Sequence, residues 1–220
     1  MKKTAIKTRQ IPTNIKSKSL VKKRRQQIYD AAMKLFPQKG YSATTLREIS
    51  KESGVALGNI YDYIKTKEDI LYIIQEKATE MIESFLLKRD SHMNSKERLI
   101  RLINCEIDMV YKYENEILLI YQESHSWSKD LLHNSLANER RRIKRYEEVI
   151  TQGIKEGVFK PVNPRIIANM IIMAVNTWVL RRWDLRKKVN IEDLRRCTLA
   201  ALLNGILSEQ AVDGHDNFKK

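Results

Sequence analysis

The chain has 220 residues and a formal charge of +14 at pH 7, with only seven Gly and four Pro; it is long enough for a large buried core, and its composition favours an all-helical protein. Cys105 and Cys197 lie far apart inside apolar helical patterns, which argues against a disulfide framework or a zinc knuckle and for buried thiols in a reducing compartment. The basic start lacks the apolar core of a signal peptide, and the most apolar run, "IIANMIIMAVNTWVLRRW", is cut by Asn169 and Asn176 and closed by arginines, so a soluble, cytoplasmic protein with no membrane partner is expected.

In chain order, residues 1–18, "MKKTAIKTRQIPTNIKSK", have much Lys and little periodicity and are expected to be a disordered basic extension. From Ser19 the apolar residues Val21, Ile28, Ala32 and Leu35 recur at helical spacing until "PQKGY", where Pro37 and Gly40 are expected to stop the helix. Thr44 is read as the N-cap of a short second helix to about Glu52, and a third runs from about Ala56 to Tyr63. Thr66, with Asp69 three residues on, caps a long fourth helix whose inner side carries Ile70, Ile73, Ile74, Ala78, Met81, Ile82 and Phe85. Helices follow at about 95–112, 114–124 and 128–156, the last closed by Gly157. Asn163 and Pro164 open another, and a final one follows Asn190 from about Ile191 to Glu209. About nine helices result. The domain boundaries read from this are a helix-turn-helix region at 19–66, a helical domain at 67–212 and a tail at 213–220.

The charge is unevenly spread: residues 1–65 carry 15 Lys and Arg against 4 Asp and Glu, and residues 66–220 carry 26 against 23. A basic first third attracts polyanions, of which duplex DNA, with one charge per roughly 1.7 Å of axis, is the commonest; a merely solvated tail would look the same by charge. The stretch "TTLREISKESGVALGNIYDYIKTKEDIL" from Thr44 to Leu71 adds geometry. Two short helices crossing steeply need a tight turn with one residue at positive φ and a small residue at the crossing. Gly54 fits the turn, Ser50 fits the crossing, and Leu46, Ile49, Val55 and Ile60 fit the apolar lock. Arg47, Ala56, Leu57, Gly58 and Asn59 then point away from the core, with Gly58 small enough to let a helix approach a sugar-phosphate wall. An ordinary turn between core helices would leave that outward polar surface unexplained.

The segment "LFPQKGYSATTLREISKESGVALGNIYDYIKTKEDIL", Leu35 to Leu71, resembles the DNA-binding domain of the TetR family (TetR/AcrR type) of bacterial transcriptional regulators. The likeness rests on "KGY" at 39–41, Thr45 to Ile49, "GV" at 54–55, "GNIYDYI" at 58–64 and "KTKEDIL" at 65–71. It implies that Thr45, Tyr61, Tyr63, Lys65 and Lys67 sit against phosphates, and that Arg47, Leu57 and Asn59 are candidates for base contact. Arginine suits guanine, asparagine suits adenine and leucine suits a thymine methyl. Ala56, Leu57 and Ile64 depart from the usual family residues, the first two where the operator is read. The basic extension is expected to add phosphate or minor-groove contacts.

The resemblance further implies a C-terminal ligand-binding and dimerisation domain, a homodimer on a near-palindromic DNA operator, and a location in the bacterial cytoplasm, at the nucleoid when bound to DNA. The last two long helices are expected to form the dimer, one apolar on nearly every side and the other carrying Ala200, Ala201 and Gly205. Ile107, Val110, Tyr121, Trp127, Met173 and Trp178 are expected to line an apolar pocket, with Arg181 and Arg182 at its mouth, although each singly also fits an ordinary core or surface. The runs "EGVFKPVNPR" and "WVLRRWDLRKK" resemble regulators of fatty-acid degradation that sense acyl-CoA thioesters, which makes an acyl-CoA the expected effector and a lipophilic drug or aromatic compound the alternative. Repression relieved by ligand is the family default. Enzyme activity is not expected: His92, His125, His133 and His215 are scattered, and no glycine-rich phosphate loop or nucleophile elbow occurs. No cofactor, catalytic residue or metal ligand is assigned. A non-specific architectural DNA binder is the remaining competitor.

Overall fold

The computed structural model describes residues 11–86 and 93–208, with only the backbone described at 78–86 and 126. The described residues form an all-α fold of ten helices: α1 Lys18–Lys39, α2 Leu46–Ser53, α3 Leu57–Ile60, α4 Glu68–Leu86, α5 Ser95–Lys112, α6 Glu114–Glu123, α7 Lys129–Lys155, α8 Pro164–Leu180, α9 Arg182–Leu185 and α10 Ile191–Ile206, with a single 3-10 turn at Ser124–Ser126. None of the helices is long and apolar enough to cross a membrane. The chain divides into two compact units, Met1–Thr79 with Asn115–Ala137 and Glu80–Glu114 with Asn138–Lys220.

In the first unit α1 buries Ile28, Ala31, Ala32 and Phe36, a stripe at helical spacing, against Ile49, Val55, Ile60, Ile64, Ile70, Leu71 and Ile74. Each such burial of a large side chain contributes about 1.5–3 kcal/mol. The helix runs through Pro37 instead of stopping there, because a proline in the last turn removes a single donor with little helix left to disturb. It ends at Gly40, whose φ of 84° suits glycine and whose N–H donates to the Phe36 carbonyl at 2.8 Å.

The N-cap of α2 is Thr45, not Thr44. Thr45 and Glu48 form a reciprocal capping box, whereas Thr44 is buried with its hydroxyl donating to the Gly40 carbonyl at 2.7 Å. Glu48 also takes a bond from Lys39 at 2.5 Å. That bond, with those from the Thr45 N–H and hydroxyl, holds the Glu48 carboxyl at about 2 instead of its ordinary 4.5. A depressed carboxylate pKa stabilises the fold above the ordinary value and loses that stabilisation as pH falls from about 4.5 to about 2. In acid titrations of denaturant midpoints, the gap between the native chain and Glu48→Gln should therefore be constant near neutrality and close across that window; a gap unchanged down to the lower limit would contradict the assignment.

Gly54 adopts φ 68° and ψ 11°, the left-handed conformation the turn requires. Ser50, 8% exposed, donates its hydroxyl to the Val55 carbonyl at 2.6 Å, which ties α2 to the residues leading into α3. A Cβ on Gly54 would meet nothing within 4 Å, so Gly54→Ala should cost about 1–2 kcal/mol through backbone strain alone. Chemical denaturation checks this; an unchanged midpoint would contradict it.

One expectation about extent differs. The stretch before α1 is not wholly loose: Ile11 is 6% exposed and joins the core, and Arg25 donates to the Ile11 carbonyl at 2.8 Å. An isolated apolar residue among lysines carries no periodicity to reveal this. Residues 115–137 cluster with the first unit, where Leu119 and Leu131 are buried in its core and the Ser128 N–H donates to Glu68 at 2.7 Å. At the start of α4, Asp69 is fully buried and accepts from the N–H groups of Lys65 and Thr66 at 2.7 and 3.0 Å. Ala78, Met81, Ile82 and Phe85 lie outside the described side chains.

The second unit packs α5 against α8 and α10. Leu99, Ile103, Ile107 and Val110 of α5 and Ala168, Ile171, Ile172, Val175 and Val179 of α8 are buried. Asn94 with Glu97 and Asn190 with Asp193 form capping boxes, and Asn163 caps α8 ahead of Pro164. Arg195 joins α10 to α5 through Asn104 Oδ1 at 3.0 Å and Asp108 at 2.6 Å. At the far end the Phe159 ring fills the space that a side chain on Gly153 would occupy, and Lys160 and Val158 bond to Ile206 and Ser208. Cys105 is buried, as expected, but Cys197 is exposed on α10.

One polar cluster lies inside this unit. Glu106, 6% exposed, accepts from the Tyr146 hydroxyl at 2.5 Å and is ion-paired with Arg142. Burial, then Glu106, pushes the Tyr146 phenol well above its ordinary value. Within the charged stretch "ERRRIKRYEE" of α7, Arg142 and Tyr146 therefore turn inwards.

Candidate nucleic-acid interface

The short helices α2 and α3 are locked by Ile49, Val55 and Ile60, all nearly or fully buried, so the side chains on their other sides have fixed positions. Thr45 and Arg47 at the start of α2 are exposed, as are Ala56, Gly58 and Asn59 at the start of α3 and Tyr61 and Lys65 after it. A Cβ on Gly58 would meet nothing within 4 Å in the free chain, so its smallness is not required by the fold itself. The exposed groups comprise a fork of guanidinium donors, an amide that both donates and accepts, a hydroxyl and a phenol, the inventory used for base edges and phosphates.

Three of the expected contact residues are placed differently. Tyr63 is 6% exposed and part of the core, because α3 ends at Ile60 and the following turn, with Tyr63 N–H bonded to the Ile60 carbonyl at 3.0 Å, rotates it inwards. Leu57 is half-buried and packs against the same core, so it does not point wholly outwards. Lys67 is occupied. Its ammonium donates to the carbonyls of Tyr41, Ser42 and Thr44 and stands 4.4 Å from the centre of the Tyr41 ring. All three ammonium protons have protein acceptors, which makes Lys67 a strut between the start of α4 and the turn before α2. Burial is the main cause lowering its pKa, and burial first, with Glu68 next, pushes the Tyr41 phenol up to about 12.

Arg25 has a role that the sequence does not announce. Its guanidinium donates to the Tyr63 carbonyl at 3.0 Å and to that of Ile11 at 2.8 Å, tying the N-terminal stretch to the turn after α3. Nothing in the spacing of α1 singles it out from Arg24 beside it.

The expected pocket residues do not all gather. Ile107, Val110 and Trp178 are buried in the second unit, whereas Tyr121, 42% exposed, and the half-buried Trp127 belong to the first. Met173 lies on the outside of α8, 51% exposed, in a row with Ile166 and Met170, because α8 is apolar on more than one face and periodicity does not say which face is inside. Arg181 is exposed and Arg182 half-buried. Trp178 donates its indole N–H to Glu114 at 3.2 Å, and Arg186 is paired with the same carboxylate.

Comparison with known proteins divides the chain in sequence order, the second family model spanning residues 115–137 as well. Residues 28–72 match the family model described as bacterial regulatory proteins, tetR family, and residues 92–205 match a tetracyclin repressor-like C-terminal domain. The chain is 29% identical over 168 residues to the HTH-type transcriptional regulator HbdR of Aromatoleum sp. (strain CIB), covering 74% of this chain and 72% of that one. It is 27% identical over 186 residues to the fatty acid metabolism regulator protein of Bacillus subtilis (strain 168), covering 82% and 94%. In fold it is similar to AibR, solved in complex with isovaleryl coenzyme A and operator DNA, with a TM-score of 0.70 at 21% identity over 82% of this chain and 98% of that one. A helix-turn-helix matched in its first third and a regulatory domain matched across more than half of its length place the chain in the TetR family of ligand-responsive transcriptional regulators, proteins that bind DNA rather than catalyse a reaction.

Proposed function

We propose that the chain is a repressor that binds a near-palindromic operator as a homodimer and is released from it by a fatty acyl-CoA. The DNA-binding part of this reading is carried by one observation: Arg47 and Asn59 are exposed on two helices whose opposite sides are locked in the core. Thr45, Tyr61 and Lys65 would hold phosphates, Gly58 would allow close approach, and Ala56 and the outer edge of Leu57 would meet base edges. Tyr63 and Lys67 act indirectly, by fixing the turns on either side.

Dimerisation is supported by an unpartnered surface on the last two long helices. Ile166, Met170 and Met173, each more than half exposed, form a row on α8, and Cys197, Ala200, Ala201 and Gly205 leave a row of small exposed residues on α10. Two copies apposed about a two-fold axis would bury both rows.

The acyl-CoA is supported by the apolar interior around Ile107, Val110 and Trp178, by the nearby arginines Arg181 and Arg182, and by the likeness to a fatty acid metabolism regulator and to a protein seen with isovaleryl coenzyme A. Both α4 and α7 run from one compact unit into the other, so a ligand that favours one arrangement of the second unit can alter the spacing of the reading helices through them. A tenfold change in operator affinity needs about 1.4 kcal/mol of such coupling. The test is a mobility-shift titration of operator complexes with acyl-CoAs of graded chain length. Release by a subset of lengths is expected; no release by any length, with release by a lipophilic drug, would replace the acyl-CoA with the alternative effector.

The anchoring of Ile11 beside Tyr63 also bears on the basic extension, since it fixes where the preceding residues leave the domain. Lys2, Lys3, Lys7 and Arg9 would then meet phosphates or the minor groove next to the read bases. Deleting residues 1–10 should flatten the dependence of operator affinity on salt by about 0.9 in log–log slope for each phosphate that the extension neutralises; an unchanged slope would contradict this role.

A further inference from the structure

Trp183 is 74% exposed, the most exposed large hydrophobic side chain among the described residues. It sits on the four-residue helix α9, and the Arg181 guanidinium stands 4.8 Å from its ring centre. Residues 181–188 hold five cations and a single acid, and that acid, Asp184, is paired with Lys188. Tyr111, 55% exposed, has its ring centre 6.0 Å from that of the buried Trp178. An indole left in water among cations contributes little to folding. Its open π-face and the adjacent forks of N–H donors instead match a purine base bearing phosphates, the base stacking on the ring and the phosphates meeting the guanidinium groups. Duplex DNA offers no unstacked base to such a ring, and an apolar effector offers nothing to the charges.

We propose that Trp183, Arg181 and Arg186 form a binding site for a phosphorylated adenosine, the nucleotide end of a coenzyme A thioester; this rests on the acyl-CoA reading above and assigns the part of the ligand that lies outside the apolar interior. The site is connected to that interior. Arg186 is paired with Glu114, which also accepts the Trp178 indole N–H at 3.2 Å. A phosphate that draws Arg186 from Glu114 loosens the hold on Trp178, at the end of the helix whose Val175 and Val179 form the buried face. Nucleotide binding at the surface thereby reaches the core of the second unit.

Calorimetric titration of the full chain and of Trp183→Leu with three probes tests this: free coenzyme A, an acyl-pantetheine that lacks the nucleotide, and the matching acyl-CoA. Operator binding without effector checks that the variant is folded. Removal of one stacking partner predicts that Trp183→Leu binds coenzyme A and acyl-CoA about tenfold or more weakly while acyl-pantetheine binding is unchanged. Equal affinity of the variant and the native chain for coenzyme A and acyl-CoA would overturn the site even if acyl-CoA proves to be the effector. Should no acyl-CoA release the operator, binding of free coenzyme A that disappears in Trp183→Leu would still uphold a nucleotide site, and absence of any coenzyme A binding would overturn it.

Discussion

Replacing Glu106 with alanine should lower the stability of the chain by about 3–5 kcal/mol. Its carboxylate is the acid paired with Arg142, whose side chain is only 15% exposed, and it is the acceptor of the buried Tyr146 hydroxyl. Removing it takes the buried acceptor from the Tyr146 phenol and one of its acids from Arg142, which keeps Glu139, itself 43% exposed, at 3.3 Å. Against a total stability of about 5–15 kcal/mol for a typical domain, that loss is large. Replacing all three members with apolar residues of similar volume should be far less harmful than removing Glu106 alone, since no charge is then left without a partner. Urea unfolding of the single and triple variants checks both statements; a Glu106→Ala midpoint close to that of the native chain would contradict the first.

The second large effect is on DNA. If Asn59 and Arg47 each contact a base, each contact is worth about 1–3 kcal/mol, and a dimer makes it twice. Asn59→Ala should therefore weaken operator binding by about 2–6 kcal/mol, at least about thirtyfold, with little change in thermal stability because the side chain is exposed. Arg47→Ala should do the same and relax the preference at a different base. Mobility-shift titrations with the operator and with singly substituted operators separate the two. A weakening that is uniform across all sequences would reassign the residue to the phosphate backbone.

Much of the fold is legible in the residues because local chemistry dictates it. Gly54 must take a left-handed conformation, Ser50 must be small, and Asn163 and Asn190 cap helices whether or not anything else is known of the chain. The exposed side of the helix-turn-helix is readable to the same extent, since Arg47, Gly58 and Asn59 lie opposite a lock of recognisable apolar residues. What the sequence hides depends on distant partners. Lys67 has acceptors at residues 41, 42 and 44, and a lysine bound in this way looks in sequence like one free to meet a phosphate. Tyr63 turns inwards because α3 is only four residues long, too short for periodicity to assign a face. Met173 lies outside although its helix is apolar, because apolar residues on more than one face of a helix do not say which face is inside. Trp183 escapes notice for the opposite reason: surrounded by charges, it resembles surface and nothing more.

A dimer that reads a two-fold symmetric site through the starts of α2 and α3 meets its decisive test when bound duplexes are selected from a random library and the protein is footprinted on those recovered. Enrichment of a near-palindrome is expected, with two protected half-sites whose centres lie on one face of the duplex and successive major grooves about 34 Å apart. The protection should vanish with Asn59→Ala and with the cognate effector. A library recovered without any enriched sequence, bound and protected evenly along its length, would contradict such a dimer and leave a basic chain that binds DNA by charge alone.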